Sequence, residues 1–128
     1  MLFKNLLFFL VVITQLNCYG QTKLSRLEKK ILKQVSLNQE NAIIFLEKVV
    51  NINSGTLNKK GVRMVGDVFR NAFDDINFST QWMEMPEEMN RAGHLFAYKK
   101  GSKGKKLLLI GHLDTVFEEN SPFQTFER

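Results

Sequence analysis

The chain has 128 residues, of which 44% are hydrophobic and 24% charged, with a formal net charge of +5 at pH 7. This composition excludes a disordered tail and suits one globular domain at most. A charge this modest, with no basic face interleaved with aromatic residues, does not favour nucleic acid as a partner.

The first twenty residues have the layout of a secretory signal. Lys4 precedes an uncharged apolar run at residues 6–13, which is too short for a membrane span of about 20 residues. We therefore expect residues 1–20 to be a signal peptide of an exported, periplasmic or secreted protein. A lipid anchor at Cys18 is the less favoured alternative. Cleavage before Gln21 would remove the sole cysteine, so a metal in the mature chain would need nitrogen and oxygen ligands.

Three amphipathic helices are predicted in the first half of the chain. Apolar residues recur at spacings of three and four within residues 24–35, 42–50 and 62–72. Ser36, followed three positions later by Gln39, resembles a capping box for the second helix, whose apolar positions are expected to be buried. Residues 51–61 are loop by composition.

Strands are predicted in the second half of the chain. Residues 78–85 and 94–100 are rich in β-forming residues. Residues 106–110 are a third strand candidate, and after Lys106 they form a continuous apolar run, which is typical of a strand covered on both faces. The lysine-rich segment 99–106 is interpreted as a solvated hairpin turn between the last two strands. The predicted fold class is α/β, with N-terminal helices followed by strands of a mixed sheet. Because no helix follows to cover the last strand, residues 21–128 are expected to be the front fragment of a larger domain.

His112 and Asp114 lie where this apolar run ends. Residues two apart in an extended chain point the same way, so the two side chains can project together at the edge where open α/β sheets bind ligands. Gly111 removes a side chain and allows close approach. A metal-bound histidine normally donates its other ring N–H to a carboxylate, and Asp114 is placed to accept it. The same pair could instead satisfy loop amides, and the residues alone leave both interpretations open. His94 and Trp82 are interpreted as structural.

The segment GHLDTVF, residues 111–117, resembles the first metal-binding motif of co-catalytic zinc metallopeptidases of the glutamate carboxypeptidase and aminoacylase type. The blocks NINSGT, GVRMVGDVF, RAGHLFAYKKG and SPF resemble the carboxypeptidase G2-like branch of that family in the same order. The resemblance runs from about Asn41 to the end of the chain.

The resemblance implies that His112 ligates one of two zinc ions and that Asp114 is the catalytic aspartate that orients its imidazole. It implies hydrolysis of an amide bond in a peptide or N-acyl amino acid, with a homodimer formed through a domain outside this chain. The remaining metal ligands and the general base would belong to later residues, so the fragment alone is expected to be inactive. The alternative is a non-catalytic remnant or binding module that keeps the front half of the fold.

Overall fold

The computed structural model describes residues 23–128, so the predicted signal peptide and Cys18 lie outside the described residues. The described part of the chain divides into two units, one that ends at Gln39 and a second at Glu40–Arg128. Across residues 23–128, none of the helices has the length and apolar character that crossing a membrane requires.

The first unit contains helix α1, Arg26–Leu37. Ser25 is its N-cap and forms a capping box with Glu28: the Glu28 N–H donates to Ser25 Oγ at 3.2 Å, and the Ser25 N–H donates to Glu28 Oε2 at 2.6 Å. These bonds satisfy two of the backbone donors that a helix start leaves unpaired. The first predicted helix is confirmed.

Helix α2 spans Gln39–Val50 and confirms the second predicted helix. The capping box predicted at Ser36 and Gln39 is wrong, because Ser36 lies inside α1 and therefore has a helical backbone instead of the extended backbone of an N-cap. Burial along α2 is partial: Ala42 and Leu46 are exposed, whereas residues 43, 45, 49 and 50 are half-buried. One of the half-buried residues, Phe45, packs edge-on against the ring of Phe69 at a centroid distance of 5.2 Å.

Helix α3, Lys59–Asp75, supplies much of the core of the second unit. Its buried residues are Gly61, Val62, Val65 and Gly66. Asn58 is the N-cap, and its side-chain oxygen accepts the Gly61 N–H at 2.9 Å. The third predicted helix is confirmed, and its N-terminus directly follows the loop that contributes to the site described below.

Two antiparallel strands pack against α3. Strand β1, Ser79–Met83, pairs with β2, His94–Tyr98, and a short 3₁₀ helix, Glu87–Met89, lies in the connection. Both strands alternate between exposed and half-buried residues, as expected for a sheet with one covered face. Trp82 is half-buried and donates its Nε1–H to the Ala92 carbonyl at 2.9 Å, which agrees with the packing role predicted for it.

The α/β prediction is confirmed, but the predicted hairpin is wrong. Residues 106–110 form no strand, and the residues Leu107–Ile110 are 78–86% exposed. β2 pairs with β1, to which it is joined through the 3₁₀ segment, and not with this run. An extended run needs a neighbouring strand for its backbone N–H and C=O groups, and residues 23–128 provide none for it. Within residues 23–128, the parallel component of the expected mixed sheet is limited to a single bridge between Gly55 and Thr115.

Candidate metal centre

Two loops meet at the parallel bridge. One is residues 51–58, between α2 and α3, and the other is the motif loop at residues 111–118. The Thr115 N–H donates to Ser54 O at 2.8 Å, and the Thr56 N–H donates to Thr115 O at 3.1 Å. Ser54 is only 3% exposed, so water has little access to this end of the bridge. The backbone therefore fixes the motif loop against the residues that precede α3.

His112 and Asp114 are brought together as predicted. His112 Nδ1 lies 3.3 Å from Asp114 Oδ1, a long contact for a hydrogen bond. The imidazole is 88% exposed, whereas the carboxylate is 33% exposed. When Nδ1 is protonated and donates a hydrogen bond to Asp114, Nε2 carries the lone pair that can coordinate a metal.

The second oxygen of Asp114 has a separate partner. Thr56 Oγ1 donates to Asp114 Oδ2 at 2.8 Å. This hydrogen bond is the main reason that the pKa of Asp114 lies below its ordinary value; partial burial acts in the opposite direction, and the bond with His112 adds a smaller decrease. Asp114 is thus held as a carboxylate that accepts hydrogen bonds at both oxygens.

Asn53 ties the loop before α3 to the segment that follows the motif. Its Nδ2 donates to Phe117 O at 3.1 Å and to Gln124 Oε1 at 2.8 Å. Its Oδ1 accepts from Asn58 Nδ2 at 3.0 Å, and this links it to the N-cap of α3. The rings of Phe117 and Phe123 pack beside this network at a centroid distance of 4.8 Å. The segment after the motif therefore takes part in positioning the site.

The two loops approach too closely for a side chain at Gly55. A Cβ there would lie 2.5 Å from Glu118 Oε2 and 2.7 Å from Glu118 Cα. Glu118 also accepts the Leu57 N–H through Oε1 at 3.2 Å. At Gly111, by contrast, a Cβ would meet no atom of residues 23–128 within 4 Å. The contact between the loops therefore requires a glycine at position 55. The close approach that the sequence predicts at Gly111 is not seen among the described residues.

Comparison with curated proteins finds a match with Carboxypeptidase G2 of Pseudomonas sp. (strain RS-16), with 30% identity over 97 residues. The similarity indicates a carboxypeptidase-like relationship. The match covers 75% of this chain but 23% of that protein, so the chain spans less than a quarter of its relative. No family model matches the chain. No solved structure matches it either.

The donor set in residues 23–128 fits part of a metal site. An imidazole backed by a carboxylate is one of the common arrangements of a histidine ligand. A cluster of three or more His, Cys, Asp or Glu side chains that could hold a metal does not occur in the described part of the chain. Catalytic zinc generally has three protein ligands, so His112 by itself would fill one position at most. The other histidine, His94, begins β2 opposite Met83, and its side chain is exposed.

Thr56 and Asn53 are parts of the site that no local sequence pattern predicts. Both lie in a segment that its composition marks only as loop, and threonine and asparagine are common in loops for local reasons. The available signal was the block NINSGT, residues 51–56, which contributes to the family resemblance. It points to the segment but not to the partner of each side chain.

Proposed function

We propose that this chain is the N-terminal part of an exported, zinc-dependent enzyme that hydrolyses an amide bond in a peptide or N-acyl amino acid. The observation that carries the proposal is the His112–Asp114 pair at the end of the apolar run, with a carboxylate behind one ring nitrogen and the other left for a metal. The similarity to a carboxypeptidase supports the reaction class.

His112 would hold one of two zinc ions through Nε2. Asp114 would accept a hydrogen bond from Nδ1–H. This bond would keep the ring in the tautomer that binds metal and raise the basicity of the imidazole. Zinc would supply Lewis acidity toward the amide carbonyl and a water of lowered pKa near neutral pH. The remaining ligands and the general base would come from residues outside 23–128.

The low pKa of Asp114 suits the role of orienting carboxylate. A carboxyl group that is ionised can accept a hydrogen bond from Nδ1–H of the neutral imidazole, which is the form that binds metal. Asparagine keeps the shape, and its amide oxygen can still accept a hydrogen bond from Nδ1–H, but it lacks the negative charge that raises the basicity of the imidazole. Asp114 would therefore govern rate more than metal retention.

Metal analysis of the complete protein and its variants tests this assignment. We expect His112→Ala to lose one zinc and nearly all hydrolysis of N-acyl amino acids and of peptides with a C-terminal glutamate. The chain contains two histidines, so His94→Ala is the matched control and should keep both properties. Asp114→Asn should keep much of the zinc and lose rate. Unchanged zinc content in His112→Ala would refute the assignment, whereas a wild-type protein with neither zinc nor hydrolysis would favour the non-catalytic alternative.

Export is tested separately by sequencing the N-terminus of the mature protein. We expect it to begin at Gln21, with residues 1–20 removed. If the first residue is a lipid-modified Cys18, the protein is anchored to a membrane and is not exported in soluble form. If Met1 is retained, both forms of the export proposal are refuted.

A further inference from the structure

We infer that Thr56 is a positioning residue for this site: its hydroxyl holds the Asp114 carboxylate in the orientation that presents Oδ1 to His112. The inference rests on the proposed function and adds to it a residue that lies 58 positions before Asp114 in the chain. Thr56 acts through Asp114 and has no contact with the metal in this scheme.

The Thr56 hydroxyl can orient the Asp114 carboxylate because the two oxygens of that carboxylate have different partners. Oδ2 accepts from Thr56 Oγ1 at 2.8 Å, while Oδ1 lies 3.3 Å from His112 Nδ1. The terminal torsion of an aspartate is broad, so a carboxylate that is one third exposed can rotate unless both ends are held. The bond to Thr56 is the shorter of the two and restricts this rotation. It thereby fixes the direction in which the carboxylate meets the imidazole.

Backbone pairing holds Thr56 in place. The Thr56 N–H donates to Thr115 O at 3.1 Å, next to the bond from the Thr115 N–H to Ser54 O at 2.8 Å. Thr56 Oγ1 also lies 3.2 Å from Thr115 O, but the hydroxyl has a single proton. The carboxylate is the nearer acceptor and the charged one, so Asp114 receives that proton. The hydroxyl is thus presented to Asp114 by the same bridge that joins the two loops.

The test compares variants of Thr56 with a matched variant elsewhere in the chain. Thr56→Val removes the hydroxyl and keeps the branched shape, whereas Thr56→Ser keeps the hydroxyl. Thr80 Oγ1 donates to Asp74 Oδ1 at 2.8 Å, so Thr80→Val deletes a bond of the same kind and length on β1. Zinc affinity of the complete protein is measured by competition with a chromophoric chelator. Loss of a group behind a metal ligand typically weakens affinity 10–100-fold, so we expect about tenfold for Thr56→Val, with Thr56→Ser and Thr80→Val near wild type.

A second readout does not require metal. In ¹⁵N-histidine-labelled, zinc-free protein at a pH where the ring is neutral, His112 should carry its proton on Nδ1 in the wild type and in Thr56→Ser. In Thr56→Val the two tautomers should mix, because the carboxylate is no longer held. Thr56→Ala, which adds no bulk, provides the same comparison if the valine variant does not fold.

The outcomes separate this inference from the function on which it rests. If wild-type protein binds zinc through His112 while Thr56→Val shows unchanged affinity and tautomer, the positioning role is refuted and the proposed function stands. If wild-type protein binds no zinc, the proposed function fails, whereas the tautomer comparison still decides the role of Thr56. An equal loss of affinity in Thr80→Val would show general destabilisation and would also overturn the inference.

Discussion

Gly55→Ala perturbs the closest approach between the two loops of the site. The added Cβ would lie 2.7 Å from Glu118 Cα, whereas heavy atoms in ordinary contact are about 4 Å apart. The Glu118 side chain can swing away from the methyl group, but its Cα cannot. The motif loop would therefore have to move by about 1 Å relative to the loop before α3.

The magnitude follows from three effects of different sign. Overpacking of this kind costs about 1–3 kcal/mol, and a weakened backbone bond between Thr115 and Ser54 costs about 1 kcal/mol more. Alanine also lowers the conformational entropy of the unfolded chain, which stabilises the folded state by only about 0.4–1 kcal/mol relative to glycine. We therefore expect Gly55→Ala to lower the free energy of unfolding by about 1–3.5 kcal/mol. In the proposed enzyme, a shift of this size at the catalytic group would also reduce the rate by up to about 100-fold.

Urea unfolding followed by circular dichroism measures this change. Gly111→Ala is the control, since its Cβ meets no atom of residues 23–128 within 4 Å and its effect should lie within about 0.5 kcal/mol. If Gly55→Ala is as stable as the wild type, the loops do not depend on close contact at this bridge, and the reasoning is refuted.

Two further changes test the framework around the site. The capping box lowers the pKa of Glu28, first through the Ser25 backbone N–H and next through the Ser25 hydroxyl. The stability that Glu28 contributes should therefore be present above the pKa of the unfolded chain, about 4.3, and be lost as the pH falls through the lower pKa of the folded state. Ser25→Ala should raise the pKa of Glu28 in a carboxyl NMR titration, and an unchanged value would contradict the capping role. Trp82→Phe removes the bond to the Ala92 carbonyl and should lower the free energy of unfolding by about 1 kcal/mol or more. Full stability of this variant in a urea titration would show that water replaces the indole N–H.

Periodicity in the sequence was sufficient to predict the three helices and two of the three predicted strands. Their apolar spacing is a local property, and each element closes most of its hydrogen bonds within itself or with a near neighbour. Residues 106–110 show the limit of this reasoning. Their apolar character favours a buried strand, but a strand exists only where another strand pairs with it, and the run remains exposed among the described residues.

The His112–Asp114 pair was likewise predictable, because two residues in alternate positions of an extended segment share a side of the chain. Its partner Thr56 was not. The hydroxyl reaches Asp114 only because a parallel bridge joins Gly55 to Thr115. No local pattern encodes that pairing.

The sequence by itself determined the helical segments, the two segments that form strands and the residue types that suit a metal, whereas the pairing of the strands was decided by the tertiary structure. Tertiary structure alone decided which oxygen of Asp114 serves His112 and which is held by Thr56. The physical reason is that contacts between distant segments depend on how the backbone closes loops, and hydrogen bonds with a distance requirement near 3 Å are made or lost by shifts of about 1 Å.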